Sequence, residues 1–232
     1  MRRAMLVPAL CLGLLLAAAP ARATDLRLGA DMAWVRDSSF DTFWTNDLFS
    51  RLDICLAYTT FDTVGFRLDA ELGYGYAGYL EATAPFAATK STMAVHDVYA
   101  GLRASFDPPG VDWLRPYVRV QGGFTVGLAS FTDVGATAAA SFDDWDVGGL
   151  VYGGGGLEIV LPMRVFMDDP PTVLSEPLAF GVFLEGGYFY RTALAFSPSG
   201  AGGDDTIPVE GFSAGDVDLS GGELRTGFLV RM

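Results

Sequence analysis

Three glycines at Gly73-x-Gly75-x-x-Gly78 carry the first pattern in this chain that could do chemistry. The same spacing forms the phosphate-binding turn of dinucleotide folds, where the backbone must approach a pyrophosphate and a helix must follow. Here "YLEATAPFAATK" follows, and Pro85 interrupts it, so no helix is expected. The run Gly153–Gly156 lacks the Lys-Ser/Thr that completes a phosphate loop. His96 is the sole histidine, and Asp97 stands next to it. Neighbours on a strand point to opposite faces, so the two cannot form a dyad, and a base must lie within hydrogen-bond reach of its nucleophile. The acidic stretches "FDDWD" (142–146) and "GGDDT" (202–206) offer oxygen ligands of the kind Ca²⁺ and Mg²⁺ take, but without a defined loop spacing. They read as solvated loops. No catalytic residue, no metal and no cofactor is expected.

The elements that hold these residues explain the glycines differently. In "FRLDAELGYGYAGYL", Phe66 to Leu80, Arg67, Asp69 and Glu71 alternate with Phe66, Leu68, Ala70 and Leu72. Period two is the signature of a strand with two unlike faces. Gly73 and Gly75 then fall on the charged face, alternating with Tyr74 and Tyr76.

The 232 residues begin with Arg2, Arg3 and an apolar run from Met5 to Ala19, followed by Pro20 and Ala21-Arg22-Ala23. This is the pattern of a secretory leader, 1–23, and the run is shorter than the roughly 18–20 residues of a spanning helix. The expected domain is 24–232. Removing the leader takes away Cys11 and three arginines and no acid, so the net charge moves from −13 to −16. Cys55 is then the single cysteine, expected to face inward as a packing residue. Such acidity argues against nucleic acid as a partner. Half of the residues are hydrophobic, yet no second run reaches spanning length. If the chain meets a bilayer, it does so through strands.

Eight segments alternate in this way. They begin at Leu26, Arg51, Phe66, Asp97, Arg115, Val147, Phe180 and Leu224. One face is apolar throughout; the other holds Arg27, Asp31, Arg51, Asp53, Arg67, Asp69, Glu71, Asp97, Arg103, Arg119, Glu158, Glu185, Arg191, Arg225 and Arg231. A soluble sandwich would bury the apolar face and a membrane barrel the polar one. Three features favour the barrel. Long joins, Arg36–Thr45, Leu80–Ser91, Ala129–Asp144 and Ala193–Ser220, alternate with short ones around "TTFDT" and "DPPGVD". The join across 161–177 is too long for this rule. Aromatics gather at the ends of the apolar faces: Trp34, Tyr74, Tyr76, Tyr188 and Tyr190 toward one rim, Tyr58, Phe106 and Phe180 toward the other, as two interfacial girdles would. The polar faces are nearly neutral in sum, which a narrow interior requires because unpaired buried charge is costly.

The expected fold is therefore all-β, a transmembrane antiparallel barrel of eight strands with a filled polar lumen. Ten strands result if the 161–177 join or the last loop hides another hairpin. A lumen of eight strands is just wide enough to be filled by side chains.

The chain resembles the small outer-membrane β-barrel superfamily, which holds OmpA-type transmembrane domains and OmpX- and OmpW-like proteins. The resemblance is carried by the leader, "RPYVRVQGGF", "VGGLVYGGGGLEIV" and the terminal "LRTGFLVRM". It implies a location in the bacterial outer membrane, contact with membrane lipid and lipopolysaccharide, and handling by the barrel-assembly machinery. That machinery reads alternate apolar residues at the carboxyl end, here Phe228 and Val230, with Met232 where members usually carry Phe. It further implies a structural or surface-interaction role with acidic loops outside the cell, divalent cations bridging loops and lipopolysaccharide. The alternative is a barrel that passes small hydrophobic molecules, which needs a contiguous apolar lumen; Phe183, Phe189 and Leu229 are too few. Some eight-stranded lipid-A deacylases use a lipid-facing His-x-Ser. Val98 stands where that Ser would be, so His96 is expected to be an exposed residue of the rim.

Overall fold

The computed structural model describes residues 23–44, 47–84, 89–111, 113–133, 141–162, 172–173, 176–196 and 216–231. The expected leader lies outside them except for Ala23, as do "GGDDT" and Met232. In chain order the strands are β1 (Ala23–Val35), β2 (Leu48–Thr63), β3 (Phe66–Ala84), β4 (Thr89–Phe106), β5 (Leu114–Asp133) and β6 (Ser141–Pro162). Then come β7 (Thr172–Val173), β8 (Glu176–Pro177), β9 (Ala179–Arg191), β10 (Leu194–Ala195), β11 (Asp216–Val217) and β12 (Gly221–Arg231).

Eight of these close a barrel in the order β1-β12-β9-β6-β5-β4-β3-β2, every neighbouring pair antiparallel. The pairs β7–β8 and β10–β11 are two-residue ribbons outside the wall, so the 161–177 join adds no ninth or tenth strand. Closure through β1–β12, from Asp25↔Arg231 to Val35↔Gly221, leaves the barrel without an edge.

The alternation fixes which way each face points. Leu28, Met32, Leu52, Leu102, Val118, Val120, Phe124, Val151, Leu157, Val182, Leu184 and Phe228 are exposed on the outside. Arg27, Asp31, Arg51, Asp69, Asp97, Arg103, Glu185 and Arg225 are buried inside. This is the inside-out order of a bilayer-spanning barrel, whose backbone groups are all paired between strands. Among the described residues no helix is long and apolar enough to cross a membrane.

One end of the barrel carries the two tight turns, both ends of the described wall and the long β6–β9 connection, which stays the exception to the alternation of lengths. The other carries the β1–β2, β3–β4, β5–β6 and β9–β12 connections. Gly65 turns β2 into β3 with φ +83°, a conformation that glycine adopts without strain. Gly110 does the same at φ +80° in Pro108-Pro109-Gly110-Val111, where the Val111 amide donates to the Pro108 carbonyl at 3.1 Å. Two expectations about the connections change. "TTFDT" lies inside β2, where an irregularity between Thr59 and Phe61 absorbs an extra residue, and the turn falls at 64–65. Two of the long joins shrink, because β3–β4 stay paired out to Ala84↔Thr89 and β5–β6 out to Thr132↔Ser141. At 18 to 22 residues, β3 to β6 exceed the roughly 9–11 residues that cross a bilayer, so their hairpins rise above the wall.

The mouth at the loop end is closed by apolar side chains. A short 3-10 helix, Ser38–Thr42, turns inward. It puts Phe40 and Phe43 against Phe49, Phe131 and Phe196, with ring centroids 5.6–6.2 Å apart. Val35, Met93, Val95, Leu194, Val217 and Leu219 complete this cluster. The apolar part of the lumen is thus larger than Phe183, Phe189 and Leu229. Inward positions of β1 to β5, among them Val35, Phe49, Met93, Val95 and Phe131, supply most of the difference. Phe40, Phe43, Leu194, Phe196, Val217 and Leu219 of two connections supply the rest, and composition of a connection does not announce burial.

Asp37 pins the cap. One carboxylate oxygen accepts from the Ser39 amide at 3.1 Å and the other from the Asp218 amide at 2.7 Å. Asp37→Ala is expected to cost about 1 kcal/mol locally, the usual worth of a helix cap. Limited proteolysis checks it: cleavage within 36–47 should accelerate, and an unchanged rate counts against the pin.

Candidate functional site

Below the cap, the lumen is filled by charge. Eight arginines, 27, 51, 67, 103, 119, 191, 225 and 231, meet nine acids, 25, 31, 53, 69, 71, 97, 158, 185 and 223. The described lumen therefore sums to −1. All fifteen residues expected on the polar face lie here. Asp25 and Glu223 join them, each standing one position before the first residue read as part of its strand, Leu26 and Leu224.

Register places opposite charges side by side. Asp31 is level with Arg51 on β2 and with Arg225 on β12. It accepts from Arg51 Nε at 2.8 Å and Nη2 at 2.5 Å, and from Arg225 Nε at 2.8 Å. One aspartate thus joins three strands. Asp97 draws Arg51 and Arg191 together and accepts from the Thr125 hydroxyl at 2.6 Å.

Midway along the lumen, Glu185 gathers three donors and a further guanidinium. Tyr117 Oη donates to it at 2.6 Å, Tyr152 Oη at 2.7 Å and Arg119 Nη1 at 3.1–3.2 Å; Arg225 Nη1 stands at 3.8 Å. Toward the turn end, Arg103 takes the corresponding role from the cationic side. Its Nη2 donates to Asp25 at 2.5 Å and to Asp69 at 2.7 Å, its Nη1 to Glu158, and its Nε lies 3.4 Å from Glu71. Arg231 and Arg67 also reach Asp25.

These groups form one connected network. Arg103 links the lower set to Glu71, Glu71 reaches Arg119 at 2.9 Å, and Arg225 ties Glu185 to Asp31 and Asp53. Aromatic rings fill the space between. Arg27 stacks over Phe183 at 4.1 Å and Tyr117 at 4.8 Å; Arg51 and Arg191 sit over Phe189 at 4.5 and 4.3 Å. Such contacts suit guanidinium, which is weakly hydrated and planar. Tyr99, Tyr117, Tyr152, Gln121 and Thr125 are buried members that charge patterning alone does not single out. Cys55 is a free thiol in the same layer, beside Tyr99, Tyr152 and Phe189.

Inward glycines make room for these rings. A Cβ at Gly73 would stand 2.1–2.3 Å from the Tyr99 ring, and one at Gly187 or Gly154 would strike Tyr152. The glycine fingerprint is therefore part of a packed wall. A nucleotide would find neither a loop nor a helix there.

The expected girdle residues all project outward. Trp34, Tyr188 and Tyr190 are exposed toward the loop end, with Tyr74 and Tyr76 half-buried; Phe106 and Phe180 are exposed toward the turn end, with Tyr58 half-buried. His96 shares this face, but it is not the exposed rim residue expected. It is 4% exposed, its Nδ1 lies 2.6 Å from Tyr74 Oη, and both tyrosine rings pack on it. Parity put His96 on the outer face. The tyrosines on the neighbouring strand then cover it, which spacing along one strand cannot show.

What this arrangement does chemically is close the barrel. Charges are held by register, tyrosine and threonine hydroxyls add hydrogen bonds to Glu185, Asp53 and Asp97, and aromatic faces pack between the guanidinium groups. Comparison with protein-family models and with curated proteins finds no match. Among solved structures the chain is similar to neisserial surface protein A, at 15% identity over 90% of this chain and 97% of that one, TM-score 0.42. It is similar to Ail, the attachment invasion locus protein of Yersinia pestis, at 13% identity over 90% and 99%, TM-score 0.40. It is also similar to the N-terminal β-barrel domain of Pseudomonas aeruginosa OprF, at 16% identity over 89% and 97%, TM-score 0.31.

Proposed function

We propose that this chain is an integral outer-membrane β-barrel that serves as a closed, rigid scaffold for its outer loops and turns over no substrate. The observation that carries this reading is the continuous ion-pair and aromatic filling of the lumen inside an apolar outer wall. Arg103, held by Asp25 and Glu158, and Tyr152, which donates to Glu185, are fully enclosed, and this supports a lumen filled by protein atoms.

The outward belt takes lipid and lipopolysaccharide as its surroundings, with the aromatic residues at the two interfaces. Export by a leader over 1–23 and insertion by the barrel-assembly machinery through the β12 end belong to the same reading. Asp37, Asp41, Asp47, Asp143, Asp144, Asp216 and Asp218 give the loop end an acidic character. That suits interaction with cationic or cation-bridged surface partners.

A conduit for hydrophobic molecules would need the apolar mouth to continue downward. Instead it ends where Phe49 meets the Arg191 guanidinium, 5.8 Å from the ring centroid, and charge fills the lumen below. A lipid hydrolase would need His96 open to its substrate, and Tyr74 and Tyr76 cover it.

Two measurements test the proposal. The folded barrel should migrate differently boiled and unboiled on a detergent gel, and identical mobility overturns it. Planar-bilayer recording should find no steady conductance, and a sizeable open level defeats the closed-scaffold reading.

A further inference from the structure

Where β1, β12 and β9 run side by side, Trp34 is level with Gly222, and Gly222 with Tyr188. Trp34 is 50% exposed and Tyr188 57%, so two outward rings flank a position with no side chain. A Cβ at Gly222 would meet nothing within 4 Å, which leaves the floor between the rings open. Strands lie about 4.8 Å apart, so the flanking strands stand roughly 9.6 Å apart, a width that accepts one saccharide ring.

A groove of about 810 Å³ starts here and runs up to Arg36, Asp216 and Asp218 at the loop-end rim. Its volume is that of a small-molecule site. Its foot stands in the outer aromatic girdle and its head beyond it, on the side where the proposed setting has lipopolysaccharide.

The state of each charge narrows the ligand. Asp37, also on the groove wall, is occupied on both oxygens by the Ser39 and Asp218 amides. One oxygen of Asp218 accepts from the Ser220 amide at 2.8 Å. Arg36 and Asp216 are exposed, and among the described residues neither side chain has a hydrogen bond or ion pair. The open groups are thus one guanidinium, one carboxylate and the second oxygen of Asp218. A phosphate would be drawn to Arg36 and repelled by the carboxylates; an ammonium would meet the reverse. A hydroxyl suits both, because it accepts from a guanidinium and donates to a carboxylate. Hydrogen bonds to ionised groups are the stronger kind. Aromatic faces, which carry partial negative charge, attract the C–H groups of a sugar ring.

We propose that this groove binds an uncharged pyranose ring of the saccharide that extends from the surrounding lipopolysaccharide. The ring lies over Gly222 between Trp34 and Tyr188, and its hydroxyls meet Arg36, Asp216 and the open oxygen of Asp218. The site deepens the outer-membrane barrel reading and rests on it.

The full chain is folded in an amine-oxide detergent, whose head carries no sugar. Saturation-transfer NMR with methyl glucoside, glucuronate and glucosamine at equal concentration reads the charge preference, and the uncharged glycoside should receive the strongest transfer. Lipopolysaccharide should then bind about ten-fold more tightly than lipid A without the outer sugars, the worth of one hydrogen bond to a charged group. The pair Arg36→Gln with Asp216→Asn breaks no bond within the described wall, so the barrel keeps its fold. It should erase the ten-fold gain and leave lipid A binding unchanged, and Trp34→Leu should erase the gain as well. Stronger transfer to either charged sugar, equal binding of the two lipids, or an undiminished gain in the variants overturns the inference. Identical mobility of the unaltered chain boiled and unboiled would instead overturn the barrel reading beneath it.

Discussion

Replacing Arg103 by methionine lowers the stability of the barrel by about 3–5 kcal/mol, the range found when one partner of a buried ion pair is removed. Arg103 is fully buried and approaches Asp25, Asp69, Glu71 and Glu158. Methionine fills similar space but leaves four carboxylates facing one another without that counter-charge. Arg67, Arg231, Arg119 and Arg27 still reach some of them, which keeps the loss from growing further. Urea unfolding in lipid vesicles, followed by tryptophan fluorescence, reads the change. Lys90→Met is the comparison, because its pair with Glu81 is exposed and such pairs contribute about 0–1 kcal/mol. If the two variants unfold at the same urea concentration, the lumen network is not what holds the wall.

The second large effect is steric. Gly73→Ala should destabilise by about 2–5 kcal/mol, combining overpacking of a tight core with loss of a hydrogen bond to a charged group. The new methyl would overlap the Tyr99 ring, and Tyr99 Oη donates to Asp53 at 2.5 Å from that position. Moving the ring frees Asp53, whose remaining neighbour is Arg225 at 3.6 Å. Tyr99→Leu in the same chain should recover part of the loss, since contacting residues are not additive. Outward Gly153 is the control: its Cβ would meet nothing within 4 Å, so Gly153→Ala should stay within about 0.5 kcal/mol. Equal behaviour of the two alanines would show that inward glycine is not required by packing.

How much of this was legible depended on what kind of signal each residue carried. The alternation in Phe66–Tyr76 specified a face for each side chain, because period two in a half-buried strand permits only one register. An irregularity between Ala77 and Leu80 then turns Leu80 inward against that parity, which alternation cannot foresee. Charge on one side and apolar bulk on the other then gave the barrel its polarity. Strand ends were less legible. Asp25 and Glu223 have the parity of their neighbours, but each precedes the first apolar residue of its segment. The loop-end parts of β3 and β4 run beyond the roughly 9–11 residues that cross a bilayer, and apolar bulk no longer marks one face there, so alternation faded before pairing did. Phe40 and Phe43 sit in a stretch that reads as loop, and only the folded mouth shows them turned inward. His96 was placed on the correct face and wrongly left uncovered, because Tyr74 and Tyr76 belong to another strand.

The apolar cap around Phe40 and Phe43 has a consequence for how the ions beneath it respond to the medium. Attraction between charges grows as the local dielectric falls, and mobile salt weakens it only where salt can enter. With phenylalanine rings above and lipid around the wall, the Arg51–Asp31–Arg225 group lies beyond the reach of external counter-ions. The loop aspartates have no such shelter. A rise in ionic strength should therefore weaken the exposed Lys90–Glu81 pair and leave the Arg51–Asp31–Arg225 group nearly unchanged, so the two layers of charge in one molecule answer the medium differently.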